Sequence, residues 1–268
     1  MTRLTVDHVS DLASHLQQLD RGLLEVAGLD LRLLALRAAG QAPAGDPFAG
    51  ARVAAVPITS GEGLISGFCQ GVAVILQHLG SDAWVTEGVD MRGILEATQM
   101  GAEVLFLADD TRFVALNVRR ARCIDNDLTT ADGYTAALAA AAGGLHGRPV
   151  LLLGLGPIGR AAARRLLEGG ADVMVVETDA TRLRAAMTVL PELRPVCLAE
   201  GLERCDLIFD ATPAPDIIHG GDISSSTIAA VPGIPSGFTA EAQKALGMRH
   251  IHDPLAIGVA VMAARSLG

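Results

Sequence analysis

The sequence predicts an α/β protein of two domains, residues 1–146 and 147–268, in which parallel strands alternate with helices. Three observations support this class. Short strand-like apolar runs alternate with helical patterns in both halves, and an alanine-rich segment, 130–146, ends at glycines between them. In addition, 50% of the 268 residues are hydrophobic and 19% are charged. This composition supplies a substantial core and excludes a disordered chain.

The first domain is predicted to begin with helices and to continue as strand and helix units. Apolar residues three and four positions apart predict an amphipathic helix over 6–20, with Thr5 as its cap. A second helix covers 29–39, and the glycine- and proline-rich segment 40–50 is a loop. The later elements are strand 53–59, helix 64–79, strand 83–86, helix 90–100, and strand 103–108, which leads toward a loop.

The second domain repeats the alternation, which is typical of parallel strands joined by helical crossovers. Its predicted elements are strand 149–156, a helix that ends near 168, strand 171–177, helix 179–190, strands 206–212 and 227–233, and a closing helix over 253–267.

Composition also limits the partners of the protein. A net charge of −9 and an aromatic content of 3% argue against nucleic acid and anionic lipid, because an acidic surface repels phosphates and few rings are present for stacking. The four cysteines are widely spaced, so no metal site is expected. No membrane helix or secretion signal is apparent. We therefore expect a cytoplasmic protein, and its apolar tail, 254–267, offers an interface for a homodimer.

The sequence GLGPIGR, which starts at Gly154, predicts a dinucleotide site. An apolar strand runs directly into Gly154, which permits a tight turn, Gly156 leaves room for a pyrophosphate, and Gly159 allows close helix packing. Pro157 and Ile158 begin the helix, whose N-terminus favours phosphate. A glycine-rich turn in an unrelated parallel fold is the alternative, but the strand, glycines and helix occur in the expected order. The second domain is therefore predicted to be a Rossmann-like NAD-binding domain.

Three other segments extend this predicted site. Glu177 ends the next strand, where an acidic side chain accepts hydrogen bonds from ribose hydroxyls and repels a 2′-phosphate, so NAD is favoured over NADP. Thr212 and Pro213 follow one later strand, and Pro232, Gly233 and Ile234 follow another. Both segments lie at the carboxyl edge of the predicted sheet, where cofactor contact and ordinary turn chemistry are nearly equal alternatives.

The glycine loop TSGEG in the first domain has no lysine, which excludes a nucleotide-triphosphate loop of the Walker type. Ser60 and the loop N–H groups suit a small anion such as an amino-acid carboxylate, while a capped loop without ligand is equally compatible with the pattern. Asp109 and Asp110 follow a buried strand and suit an ammonium group or a proton, or initiate a turn. His250 and His252 are predicted on one side of a strand, where a structural role is favoured.

Several stretches, taken together, resemble the pyrrolysine synthase (PylD) family over nearly the whole chain. They are LTVDHVSDL, AGLD, VPITSGEGLISGF, LADD followed by TRFVALN, VLLLGLGPIG, ATP, PGIP and DPLAIG. A generic dehydrogenase would share only the glycine motif. The combination of VPITSG with LADD and PGIP makes the resemblance specific.

The resemblance implies a homodimeric, two-domain, NAD-dependent enzyme whose N-terminal domain serves substrate binding and dimerisation. Its substrate would be L-lysine-Nε-3-methyl-D-ornithine, whose terminal amine is oxidised to an imine that loses ammonia through a semialdehyde before the pyrroline ring closes. The implied substrate residues are Leu4, Ser60, Ile65, Asp109, Asn126 and Thr130, with Asp109 holding an amine or relaying a proton.

Two departures from the family pattern affect these expectations. The ribose-binding acid is commonly Asp in the family and is Glu177 here, and the match thins over 123–133. Two alternatives stay open at this point: an NAD-dependent dehydrogenase of another amino or hydroxy acid, and a non-catalytic NAD-binding sensor.

Overall fold

The structure is a computed structural model that describes residues 12–42, 45–61 and 67–268. Two of the predicted substrate residues, Leu4 and Ile65, lie outside these ranges, as does the predicted start of the first helix. The chain forms two compact units. Of the described residues, the first unit contains those up to 21, within 30–129 and within 255–268, and the second contains 22–29 and 130–254.

The first unit is built on a five-stranded mixed sheet with strand order β2-β1-β3-β4-β5. Strands β1, β2 and β3 are parallel, as predicted, while β4 and β5 are antiparallel additions. The sequence prediction ended at β3 and missed both added strands, although β4 alternates between buried and half-buried positions. The strands are β1 (Arg52–Val56), β2 (Asp82–Val85), β3 (Val104–Ala108), β4 (Phe113–Asn117) and β5 (Arg122–Asp125).

The helices of this part of the chain correspond to the predicted ones, although the first, predicted to end at residue 20, continues to Ala27. They are α1 (Leu12–Ala27), which continues beyond the first unit, α2 (Leu31–Ala38), α3 (Phe68–His78), α4 (Asp90–Gln99), α5 (Asn126–Ala141), which crosses from the first unit into the second, and α10 (Ala256–Leu267).

Helix α10 is a core helix of the first unit. Ten of its twelve residues are buried, and it packs against α2, α3 and β4. A helix that is apolar on all sides is stable in water only when it is enclosed. The expectation that this apolar tail supplies a dimer interface is therefore wrong, because its own chain already covers it. Homodimer formation itself stays a prediction.

The compact units divide the chain at positions other than the predicted domains 1–146 and 147–268. The boundary between the compact units lies between residues 129 and 130, and residues 255–268 belong to the first unit. The assignment of separate functions to the two predicted domains stays a prediction.

The second unit is a doubly wound α/β fold with six parallel strands in the order β11-β10-β9-β6-β7-β8. The chain first moves from β6 to β8 and then returns beside β6 at β9, which creates a switch point at the carboxyl edge. The strands are β6 (Pro149–Leu153), β7 (Asp172–Val176), β8 (Arg194–Pro195), β9 (Leu207–Asp210), β10 (Ile228–Ala230) and β11 (His250–Ile251). The crossover helices are α6 (Pro157–Glu168), α7 (Ala180–Val189), α8 (Leu198–Arg204) and α9 (Ala240–Leu246).

Apolar side chains from the sheet and its helices form the core of the second unit. Leu151, Ile208 and Phe238 are almost completely buried within one cluster. The short elements β8, α8 and α9 were not predicted, because each has too few residues to show a period. In the described ranges, no helix is both long and apolar enough to cross a membrane.

Candidate functional site

The loop between β6 and α6 has the geometry that its three glycines predict. Gly154 has a φ of +84°, and its N–H donates to the carbonyl of Val176 at 2.9 Å. A Cβ on Gly159 would lie 2.9 Å from the carbonyl carbon of Gly154 and still closer to its oxygen. A Cβ on Gly156 would meet no atom within 4 Å. The loop is therefore tightly packed at Gly159 and open at Gly156, as a phosphate site requires.

The N-terminus of helix α6 faces this open space without a side-chain cap. Gly156 is the N-cap residue, Pro157 begins the helix, and within the described part of the chain the helix has no side-chain cap hydrogen bond. Ile158 is half-buried in the same turn. Arg160 donates to the carbonyl of Leu155 at 3.1 Å and adds positive charge beside the loop. Uncapped N–H groups, the helix dipole and this guanidinium together favour an anion.

Glu177 connects the glycine loop to the turn after β7. Its side chain is only 3% exposed. Its Oε2 accepts from the N–H of Leu155 at 2.7 Å, and its Oε1 accepts from the N–H of Asp179 at 2.8 Å. Burial by itself raises the pKa of Glu177, but these hydrogen bonds and Arg182, 3.4 Å away, outweigh it and lower the pKa. Glu177 is thus a buried anion that holds the loop in place. Oε2 accepts from both Leu155 and Arg182, whereas Oε1 keeps a lone pair for a ribose hydroxyl.

Asp210, which the sequence analysis did not select, joins the two other segments predicted to bind the cofactor. Its side chain lies at the end of β9 and is 0% exposed. Oδ1 accepts from the N–H and the hydroxyl of Thr212, both at 3.0 Å, and Oδ2 accepts from the N–H of Gly237 at 2.9 Å. Burial raises the pKa of Asp210, while these hydrogen bonds and His252 oppose the shift.

The backbone reinforces the connection between these segments. The N–H of Gly233 donates to the carbonyl of Asp210 at 3.0 Å. A Cβ on Gly233 would lie 3.1 Å from that oxygen and 3.3 Å from the carbonyl carbon of Thr212, so glycine is required for the close approach. Pro213 follows Thr212, and Ile234 precedes Pro235 in a cis peptide bond. The structure therefore brings Thr212, Pro213, Pro232, Gly233 and Ile234 to one part of the carboxyl edge.

His250 and His252 lie on one side of β11 and its extension, as the sequence predicts. Their ring centroids are 5.5 Å apart. His252 Nδ1 is 2.7 Å from the carbonyl of Val231, which fixes the proton on Nδ1. His250 Nε2 is 3.3 Å from the Ser236 hydroxyl, and burial lowers the pKa of His250 to about 4. His250 is therefore neutral at pH 7. No group of three His, Cys, Asp or Glu side chains suited to a metal occurs in the described ranges.

In the first unit, the loop after β1 is tied to the start of α4. Asp90 accepts from the N–H of Thr59 at 2.8 Å and from its hydroxyl at 2.5 Å. Asp90 has a φ of +50°, a strained value for a residue with a side chain, and such strain is common at functional loops. Ser60, the predicted carboxylate ligand, is exposed immediately after this anchor.

The two adjacent acids after β3 have different surroundings. Asp109 Oδ1 accepts from the N–H and hydroxyl of Thr111, at 2.7 and 2.8 Å, and from the N–H of Arg112 at 2.8 Å. These hydrogen bonds, led by that of the Thr111 N–H, lower the pKa of Asp109. Asp110 instead packs against the glycine loop, since a Cβ on Gly61 would lie 2.6 Å from its Cγ. A carboxyl with a lowered pKa holds a cation more readily than a proton.

The two weaker substrate assignments lie on helix α5. Asn126 is its first residue and is half-buried, and Thr130 is buried one turn later. Their spacing places them on the same face of the helix.

The chain is similar to known proteins over nearly its whole length. The family model described as "Pyrrolysine biosynthesis protein PylD, N-terminal domain" matches residues 8–124. Pyrrolysine synthase of Methanosarcina acetivorans is 30% identical over 264 residues, which are 98% of each chain. Pyrrolysine synthase of Methanosarcina barkeri is 31% identical over 262 residues, 98% of this chain and 97% of that protein.

The architecture also has a counterpart among solved structures. Quinate dehydrogenase from Corynebacterium glutamicum in complex with NAD matches with a TM-score of 0.51 and 13% identity, over 81% of this chain and 94% of that chain. At this identity the likeness establishes the fold, which is that of Rossmann-like dehydrogenases.

Proposed function

Because the chain belongs to the pyrrolysine synthase family, we propose that it is a nicotinamide-dependent dehydrogenase that forms pyrrolysine in the last step of its biosynthesis. Two observations together carry the proposal. The chain is 30% identical to a pyrrolysine synthase over 98% of its length, and an uncapped glycine loop lies at the switch point of a doubly wound sheet. The first supports the pathway, and the second supports dinucleotide chemistry.

We assign the cofactor as NAD. The open space at Gly156 and the uncapped N-terminus of α6 suit the pyrophosphate, and the Glu177 carboxylate suits the ribose hydroxyls of the adenosine half. The lowered pKa of Glu177 keeps it negative at pH 7, and a negative charge repels the 2′-phosphate of NADP. The segments of Thr212 and Gly233 then border the nicotinamide half. When bound, the nicotinamide supplies a hydride acceptor.

The proposed substrate is L-lysine-Nε-3-methyl-D-ornithine. Loss of a hydride and a proton converts its terminal amine to an imine, and water then releases ammonia and leaves a semialdehyde. Condensation of that aldehyde with the remaining ornithine amine, with loss of water, closes the pyrroline ring. The first step requires the amine to be uncharged when the hydride leaves, so the protein must bind the ammonium form and then allow its proton to depart.

The residues of the first unit fit the binding part of this task. Ser60, with its loop anchored by Asp90, suits a substrate carboxylate. Asp109 is an anion with a lowered pKa, so we assign it to the substrate ammonium as an ion-pair partner. Proton removal by Asp109 is less favourable, because a stabilised carboxylate is a weak base. Leu4, Ile65, Asn126 and Thr130 remain proposed substrate contacts from the family resemblance.

The test is to incubate the purified protein with NAD and L-lysine-Nε-3-methyl-D-ornithine and to follow NADH absorbance and product mass. NADH formation together with the mass of pyrrolysine is expected, and NADP should support little turnover. A panel of other amino and hydroxy acids is the matched control. NADH formation with a panel member alone would identify a different dehydrogenase, and NAD binding without reduction by any amine would identify a sensor.

A further inference from the structure

Asp210 is a buried carboxylate at the carboxyl edge of the second unit. It does not belong to the glycine motif, and the proposed chemistry assigns no step to it. Its side chain is 0% exposed, and an ionised group in such a place requires hydrogen bonds that compensate the loss of water. Its side-chain partners, Thr212 and Gly237, belong to the two segments that follow β9 and β10.

The strand order fixes which half of a dinucleotide these segments would meet. In a doubly wound sheet the pyrophosphate lies at the loop after the first strand, here β6, and the adenosine ribose lies at the acid after the second strand, here Glu177 after β7. The other half of the dinucleotide therefore extends over β9 and β10, on the opposite side of β6.

Asp210 divides its acceptors between the two segments. Oδ1 holds Thr212 through two hydrogen bonds, and Oδ2 holds Gly237 through one. Its backbone carbonyl holds Gly233, so the 233–237 segment is attached to Asp210 near both of its ends. Glycine at 237 is also needed for this packing, because a Cβ there would lie 2.6 Å from Oδ2.

We propose that Asp210 is a positioning residue that orders the binding surface for the nicotinamide half of the cofactor by holding the 212–213 and 233–237 segments together. The inference rests on the proposed dinucleotide function. A carboxylate is required because both of its oxygens accept, whereas an amide has one accepting oxygen. In an Asp210→Asn variant, the amide nitrogen must face either Thr212 or the N–H of Gly237, and one segment loses its anchor. Burial raises the pKa of Asp210, so the ionised carboxylate depends on these hydrogen bonds to offset the loss of water.

The experiment compares the binding of NADH and of ADP to the full chain by calorimetry. ADP lacks the nicotinamide half and uses the glycine loop and Glu177 alone. We expect Asp210→Asn to weaken NADH binding about tenfold, the order expected when hydrogen bonds to a charged group are lost, and to change ADP binding less than about twofold. The fluorescence that the bound nicotinamide of NADH gives should also shift in the variant. Thr212→Val, which removes one donor, should produce a smaller change in the same direction.

Asp132→Asn is the matched control. Asp132 is also a buried carboxylate of the second unit, 6% exposed and 2.5 Å from Arg165, but it lies on α5 and not at the carboxyl edge. The Asp132→Asn variant should have a lower melting temperature but no selective loss of NADH binding.

Equal loss of NADH and ADP binding in Asp210→Asn, or unchanged binding of both, would overturn the inference. If Asp210→Asn does not fold, Thr212→Val decides: selective loss of NADH binding supports the inference, and none overturns it. If the wild-type protein binds neither NADH nor ADP, the proposed cofactor itself is wrong, and that result is distinct from failure of the Asp210 role.

Discussion

Two alanine substitutions in the glycine loop separate packing from ligand binding. A methyl group at Gly159 would lie 2.9 Å from the carbonyl carbon of Gly154 and even nearer to its oxygen, both of which are rigid backbone. Overpacking of this kind typically costs about 1–3 kcal/mol. A methyl group at Gly156 would meet nothing within 4 Å, and the φ of −61° at Gly156 is allowed for alanine. Its cost is therefore limited to the weaker capping of alanine, less than about 1 kcal/mol.

Ligand binding should not follow stability in this pair. Gly156→Ala places its methyl group where the pyrophosphate is proposed to lie, so it should abolish most binding of NAD and ADP while the protein stays folded. Gly159→Ala should lower the melting temperature by roughly 3–10 °C and weaken binding as a consequence of helix displacement.

The assay is thermal unfolding by circular dichroism, followed by calorimetric titration with NAD and with ADP. The reasoning about packing is refuted if Gly159→Ala unfolds at the wild-type temperature. The assignment of the phosphate site is refuted if Gly156→Ala binds both ligands as tightly as the wild type does.

Three further predictions use other parts of the structure. Tyr134→Phe should destabilise the protein by about 1–3 kcal/mol in denaturant unfolding, because the buried N–H of Asp253 now donates to the Tyr134 hydroxyl at 2.8 Å and would lose its acceptor. The pKa of His250 is about 4 in the folded protein and near 6.5 in the unfolded chain, so the unfolded chain binds the proton more readily. The free energy of unfolding should therefore be highest above about pH 6.5 and should fall by up to about 3 kcal/mol as the pH drops to about 4. In unfolding measured against pH, His250→Gln should reduce this dependence. Asp109→Asn keeps an oxygen for its turn but loses the charge, so it should raise the KM for the amine about tenfold and leave NAD affinity unchanged, whereas equal loss of both would indicate a folding defect.

The parts of the fold that follow from local sequence were predictable. The three glycines around Pro157 determine a turn, an open space and a close packing contact, and each depends on residues within the same short segment. The parallel strands on either side were equally clear, because each is a continuous apolar run bounded by turn residues.

Long-range partners were not predictable from these patterns. The apolar tail reads as a helix in the sequence, but periodicity does not reveal whether its own chain or a second copy covers it. Asp210 ends an apolar strand and looks like an ordinary turn acid, and its role depends on Gly237, 27 residues later. Likewise, the Asp109 carboxylate accepts hydrogen bonds from its own turn, as from the Thr111 hydroxyl, because of the orientation of its side chain, which sequence spacing does not specify.

The position of α10 has a consequence for the order of events during synthesis. Proteins commonly fold their N-terminal parts first as the chain emerges from the ribosome. Here the first unit cannot complete its core until 255–268 has been made, although all of 130–254 emerges earlier. The second unit can therefore be complete while the first still exposes the surfaces of α2, α3 and β4 that α10 will cover. Premature termination before residue 255 would leave the first unit without a helix that fills its core.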